Sequence, residues 1–189
     1  MKGTLTVVFF ALLIFQVKGQ NTLKGRIDFW TFSKDSFRHL QPNTQSNLIT
    51  KKYDTFDELK QFLQSLPDTF DMVSIQDESL KKLSHYFFRF KNIKGVDIYA
   101  PKMGSIDERF YKMDSLSSIY WHSDSIISIP ISLAKSKKLM MIEIHAKRIG
   151  KLVKEEAKTI TRNTKSPYLV ISINDIFQVD SEKGILYDE

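Results

Sequence analysis

The chain has 189 residues, four histidines and no cysteine. Metal ligation or acid–base work near neutral pH therefore starts from His39, His85, His122 and His145, helped by carboxylates. His145 draws attention first. The stretch "IEIHAKRIGKL", Ile142 to Leu152, reads as a strand that ends in a histidine and opens into a basic helix. A hydrolytic zinc takes three protein ligands and keeps a further position for a water, whose pKa it lowers. Glu143, two residues before His145, faces the same side of a strand and could share a metal with it. Two donors alone make a weak site. Arg148, three residues after His145, stays protonated, has no lone pair and would repel a dication. His39 and His85 read as surface histidines, and Asp175 and Asp180 as loop residues. His145, and more weakly Glu143, are thus the metal candidates; no residue is assigned a catalytic or substrate-binding role.

The elements that would position these residues follow from periodicity. "RIDFWTF" and "LITKKY" read as strands. "DTFDELKQFLQSLPD" is the clearest helix: Thr55 and Glu58 form a capping box, Phe56, Leu59, Phe62, Leu63 and Leu66 make one apolar stripe, and Pro67 stops it. "FDMVSI" is a strand and "DESLKKL" a second short helix, so the order from Arg26 is β-β-α-β-α. Residues 84–104, broken by Gly95, Pro101 and Gly104, read as a connector, and "SIDERFYKM" as a short helix capped by Ser105. "SIISIPISL" and "KLMMIEI" read as strands joined by the charged turn "AKSKK". "AKRIGKLVKEEAKTITRN" is a helix with Ile149, Leu152, Val153, Ala157 and Ile160 on one face. "YLVISI" is an interior strand, and the run from Leu139 to Ile173 predicts a parallel pair with a right-handed crossover. Internal repeats are not expected.

Residues 1–19 carry the marks of a secretory signal peptide: Lys2, an apolar run from Leu5 to Val17, then Val17 and Gly19 at positions suited to cleavage before Gln20. The remaining chain suits one domain or two small ones. Without cysteine it must hold together by core burial, with 14 Phe and 7 Tyr supplying bulk. The net charge of +6 is spread thinly, with no Arg-rich tract and no alternation of basic and aromatic residues, which excludes a nucleic-acid groove.

The order of these pieces resembles the secreted zinc metallocarboxypeptidases of the A/B type, which are made as zymogens. "IDFWTFS" and "ITKKYDTFDELKQFLQSLPDTFDMVSIQDESLKKL" are similar to the activation propeptide. "SIISIPISLAKSKKLMMIEIHAKRIG" is similar to the hairpin that runs into the family's "IHAREW" zinc motif, and "YLVISINDIFQVD" to the strand ending in "NPDGY". The resemblance implies a signal peptide at 1–19, a propeptide-like domain at 20–83, a connector at 84–104 and a truncated N-terminal part of the catalytic domain at 105–189. The fold class it implies is an α+β propeptide-like open-faced sandwich followed by a truncated α/β unit with a mixed sheet. In that family His-x-x-Glu supplies two zinc ligands; His145 matches the first, and Arg148 stands at the Glu position. Asn174 matches the Asn of "NPDGY", but Asp175, Ile176 and Phe177 lack its proline and glycine. The other ligands and the general base of the family would lie beyond Glu189.

The implied function is that of a secreted metallocarboxypeptidase-like protein without peptidase activity, whose family removes C-terminal amino acids with zinc, and which binds zinc weakly or not at all here. One alternative is a propeptide-type inhibitor or binding module for a full-length carboxypeptidase. Another, from a similarity of "IDFWTFS" and "SIPIS" to bacterial extracellular solute-binding proteins, is a solute-binding lobe. The expected partners are a peptide or a carboxypeptidase, with no nucleic acid and no membrane after signal cleavage. A homodimer through an unpaired sheet edge at "YLVISI" is also expected.

Overall fold

Strands alternate with short helical turns along nearly the whole of the described chain. The computed structural model describes residues 25–31 and 47–188; the signal-peptide expectation at 1–19 and His39 lie outside them. The strands are β1 (Gly25–Thr31), β2 (Asn47–Tyr53), β3 (Met72–Gln76), β4 (Gly95–Tyr99), β5 (Ser118–Ile126), β6 (Met141–Ile149), β7 (Val170–Ile173), β8 (Phe177–Asp180) and β9 (Gly184–Asp188). The helices are α1 (Phe56–Ser65) and α2 (Val153–Asn163), and 3₁₀ turns occupy His85–Arg89, Glu108–Lys112 and Ile131–Lys135. The protein is α+β: one mixed sheet in the order β2-β1-β3-β4-β5-β6-β7-β8-β9, with its helical elements filling the connections.

The centre of this sheet is a repeat. Met72, Gly95, Ser118 and Met141 are register partners on successive parallel strands, each 23 residues after the last, and Val170 follows 29 residues later. Backbone bonds recur at the same interval. Lys94 N–H donates to Asp71 O at 2.7 Å, Ser117 N–H to Lys94 O at 2.7 Å and Met140 N–H to Ser117 O at 2.8 Å. The 3₁₀ turns open alike, with Phe87, Phe110 and Leu133 donating to Ser84, Asp107 and Pro130. Four columns of buried side chains run through the coils: Phe70/Ile93/Leu116/Leu139, Val73/Val96/Ile119/Ile142, Ile75/Ile98/Trp121/Ile144 and Phe87/Phe110/Leu133. A single coil cannot bury its apolar face alone; stacking on its neighbours makes the core continuous.

The ends of the stack are closed by antiparallel strands. β1 pairs with both β2 and β3 on one side, while β8 and β9 continue the sheet beyond β7 on the other. The N-cap of α1 forms as expected, Glu58 N–H donating to Thr55 Oγ1 at 3.2 Å, while the return bond of the box is shifted by one residue, Glu58 Oε2 accepting from Asp54 N–H at 2.9 Å. The parallel β6–α2–β7 unit and the interior position of β7 also match expectation.

Several expectations are corrected. Repeats are present, because what recurs is apolar spacing rather than residue identity. Residues 84–104 hold β4, which pairs with β3 and β5, so the stretches expected as two units share one sheet. "DESLKKL" is a turn, not a helix, since Asp77 Oδ1 accepts from Ser79 N–H at 2.7 Å and Leu80 and Leu83 turn into the core. The expected strand "SIISIPISL" is strand only at Ser125 and Ile126, the end of β5, and then gives way to the 3₁₀ turn Ile131–Lys135; β5 and β6 pair in parallel rather than as a hairpin. The "SIDERFYKM" helix is a 3₁₀ turn capped by Asp107 rather than by Ser105. Ala146–Ile149 stay in β6, and α2 starts after Gly150, leaving Leu152 exposed. The "YLVISI" edge is covered by β8, so the edge expected to mediate a homodimer is already paired.

Candidate functional site

One face of the sheet carries the buried columns, and alternation along each strand sends the other side chains to the opposite, open face. Because β3 to β7 are in register, these side chains line up in rows. One row runs Ser74, Asp97, Tyr120, Glu143, Ser172 and the next runs Gln76, Tyr99, His122, His145. Each row repeats a position at 23-residue intervals, apart from the 29-residue step from Glu143 to Ser172.

His122 and His145 are direct register partners. Their rings stack with centroids 4.9 Å apart and planes inclined by 8°. His145 Nε2 lies 2.7 Å from Glu143 Oε1, and His122 Nε2 lies 3.7 Å from Asp97 Oδ1. Asp97 Oδ2 accepts from Ser74 Oγ at 3.2 Å. The electrostatics separate the two imidazoles. The hydrogen bond to Glu143 raises the His145 pKa above its usual value, against the opposing effect of burial. Burial lowers the His122 pKa, and the neighbouring His145 lowers it further. Glu143 is held below the usual carboxylate range by its bond to His145, while burial pushes Asp97 up. Burial raises the Tyr120 phenol, helped by the fields of Glu143 and Asp97 on the flanking strands. The stacked pair therefore divides its work: His145 takes a proton first and His122 stays neutral to lower pH.

The end of β6 is fixed by Asn174. Its Oδ1 accepts from Ala146 N–H at 2.8 Å, its Nδ2 donates to Ala146 O at 2.6 Å, and its own N–H donates to Ile144 O at 2.8 Å. Asn174 and Asp175 have φ of 51° and 57°, a left-handed pair that turns β7 into β8, with Ile176 N–H bonded back to Ile173 O. Asparagine and aspartate are the non-glycine residues best suited to that conformation. His145 is thus bracketed on both sides by fixed backbone.

The two metal candidates, His145 and Glu143, do meet, but they bond each other. Arg148 is three residues along the same strand, so it lies on the face opposite His145 and the His-x-x-Glu spacing does not converge here. Among the described residues no group of three His, Cys, Asp or Glu is placed to hold a metal ion. His85 is itself exposed and opens a 3₁₀ turn, its ring against Tyr86 at 3.8 Å. Asp175 is a loop residue as expected. Asp180 instead ends β8, buried, with Oδ1 accepting from the N–H groups of Glu182 and Lys183. Sequence reasoning missed His122, Asp97 and Tyr120. The intervals 99–122–145 and 97–120–143 would have found them.

No family model, no curated protein and no solved structure matches the chain. Among the described residues no helix is long and apolar enough to cross a membrane.

Proposed function

We propose that this protein is a recognition module that binds an extended segment of a partner protein or peptide across the open face of its parallel sheet. One observation carries this reading: β3 to β7 hold Asp97, Tyr99, Tyr120, His122, Glu143 and His145 in adjoining in-register rows, while no described element packs over that face. The spacing of the buried side chains supports it. Phe70-x-x-Val73-x-Ile75 followed by Leu80, and its counterparts 23 residues on, repeat the apolar pattern of leucine-rich-repeat solenoids, with Glu78, Pro101 and Asp124 at the usual Asn/Cys position. Solenoids of stacked repeats use their extended ladder surface for binding. The apolar leader at 1–19 supports placement outside the cell.

The test is a displayed peptide library selected against the immobilised chain. Selected peptides should lose affinity for a Tyr99→Ala/His122→Ala variant and keep it for Ile131→Ala, an exposed position in a 3₁₀ turn. Peptides indifferent to the first variant and sensitive to the second, or a failure to enrich any binder, would contradict the reading.

A further inference from the structure

Four carboxylates of the open sheet, Asp28, Asp97, Asp124 and Glu143, differ in what neutralises them. Arg26 pairs with Asp28 at 2.7 Å and Lys147 with Asp124 at 2.7 Å. Among the described residues, Asp97 and Glu143 have imidazoles as their ionic partners. Asp97 Oδ1 is 3.7 Å from His122 Nε2, longer than a hydrogen bond. Tyr120 stands between these two carboxylates, as the register partner of Asp97 on one side and of Glu143 on the other. Two strand spacings put the Cα atoms of Asp97 and Glu143 roughly 9–10 Å apart, with a phenol ring in the middle. Tyr99, 46% exposed, adjoins in the next row.

We propose that Asp97, Tyr120 and Glu143, beside the stacked His122 and His145, form a subsite for one basic side chain, lysine or arginine, of the segment bound on the open face. The inference rests on the proposed function and names what that face reads. A cation over the Tyr120 ring gains from its negative π-face and meets a carboxylate on either side. An acidic or apolar side chain in the same place would strip water from two carboxylates and return nothing. The stack adds selectivity: His145 is already the hydrogen-bond partner of one Glu143 oxygen, which leaves the other oxygen for the incoming donor.

The experiment is an NMR titration of the isotope-labelled chain, in the presence of EDTA to remove trace metal. The probes are the blocked peptide acetyl-Gly-Gly-Arg-Gly-Gly-amide and the same peptide with citrulline, which keeps the shape of arginine without its charge. The subsite predicts saturable shifts of Tyr120, His122 and His145 signals with the arginine peptide, and binding about tenfold weaker with citrulline. Asp97→Asn/Glu143→Gln, isosteric at partly exposed positions, should weaken the arginine peptide about tenfold and leave citrulline unchanged. Equal binding of the two peptides at these residues overturns the cation subsite and leaves the open-face reading standing. Shifts seen only with library-selected peptides, and with neither probe, overturn the subsite alone. Silence of the open face to every peptide overturns both.

Discussion

Replacing Ile98 by alanine and, separately, its neighbour Tyr99 by alanine tests which side of the sheet is core. Ile98 is fully buried, in the column Ile75/Ile98/Trp121/Ile144, whereas Tyr99 is 46% exposed on the open face. Ile98→Ala removes three carbon groups, worth ~2.4 kcal/mol at ~0.8 kcal/mol each. A cavity contribution brings the total to about 3–4 kcal/mol, because neighbouring coils cannot collapse into the gap without breaking their shared register. For a chain of this size that is a fall in Tm of roughly 6–16 °C. Tyr99→Ala should cost no more than about 1 kcal/mol, since nearly half of that residue is exposed and it lies outside the buried columns. Urea and thermal unfolding followed by circular dichroism read both. Equal destabilisation by the two substitutions, or a larger loss from Tyr99→Ala, would refute the assignment of faces and with it the rows that make the site.

Gly150→Ala should destabilise by about 1–3 kcal/mol, because a Cβ there would sit 2.7 Å from the Ile127 carbonyl oxygen and 3.1 Å from Ile127 Cα, backbone atoms of the neighbouring coil; the unfolding midpoint checks it. Asn174→Gly keeps the left-handed turn but loses both side-chain bonds to Ala146, so it should cost about 1–3 kcal/mol and speed hydrogen exchange at the Ala146 amide. Glu143→Gln should lower the His145 pKa, read from its imidazole shifts. His145 is raised in the folded protein, so its contribution is present in acid and lost as pH rises through its folded pKa. Glu143 is depressed, so its contribution is present above its unfolded pKa and lost as pH falls through its folded one. The variant's stability deficit should therefore be largest at mildly acidic pH and fade toward alkaline pH. His122, depressed by burial, acts the other way and lowers stability as pH falls in both proteins.

The legible parts of the sequence were those with a strong local signal. α1 carries its capping box and stripe, and β6–α2–β7 combines apolar strands with a helical period. The coils between residues 70 and 140 have neither. Their strands, apart from β5, are only five residues long, and the turn at "DESLKKL" and the 3₁₀ turn in "SIDERFYKM" are too short for a period to tell them from a single α-helical turn. The repeat is hidden by substitution within its columns: Phe70, Ile93, Leu116 and Leu139 occupy one position, and Ile75, Ile98, Trp121 and Ile144 another. Apolar shape is what the core requires, so identity drifts while spacing stays. The site was half legible. Glu143 and His145 share a strand and a face, which parity alone shows, whereas His122, Asp97 and Tyr120 join them only through a register that pairs residues 23 and 46 positions apart. Treating 84–104 as a connector removed the coil that would have revealed it.

The parallel register of β5 and β6 is the claim on which the open face and its site depend, and an NOE spectrum of the imidazole protons reads it directly. Stacked rings with centroids 4.9 Å apart should give a cross-peak between His122 and His145 that disappears in His122→Ala. A spectrum with no such cross-peak, showing instead contacts of an antiparallel hairpin closed across "AKSKK", would contradict the account.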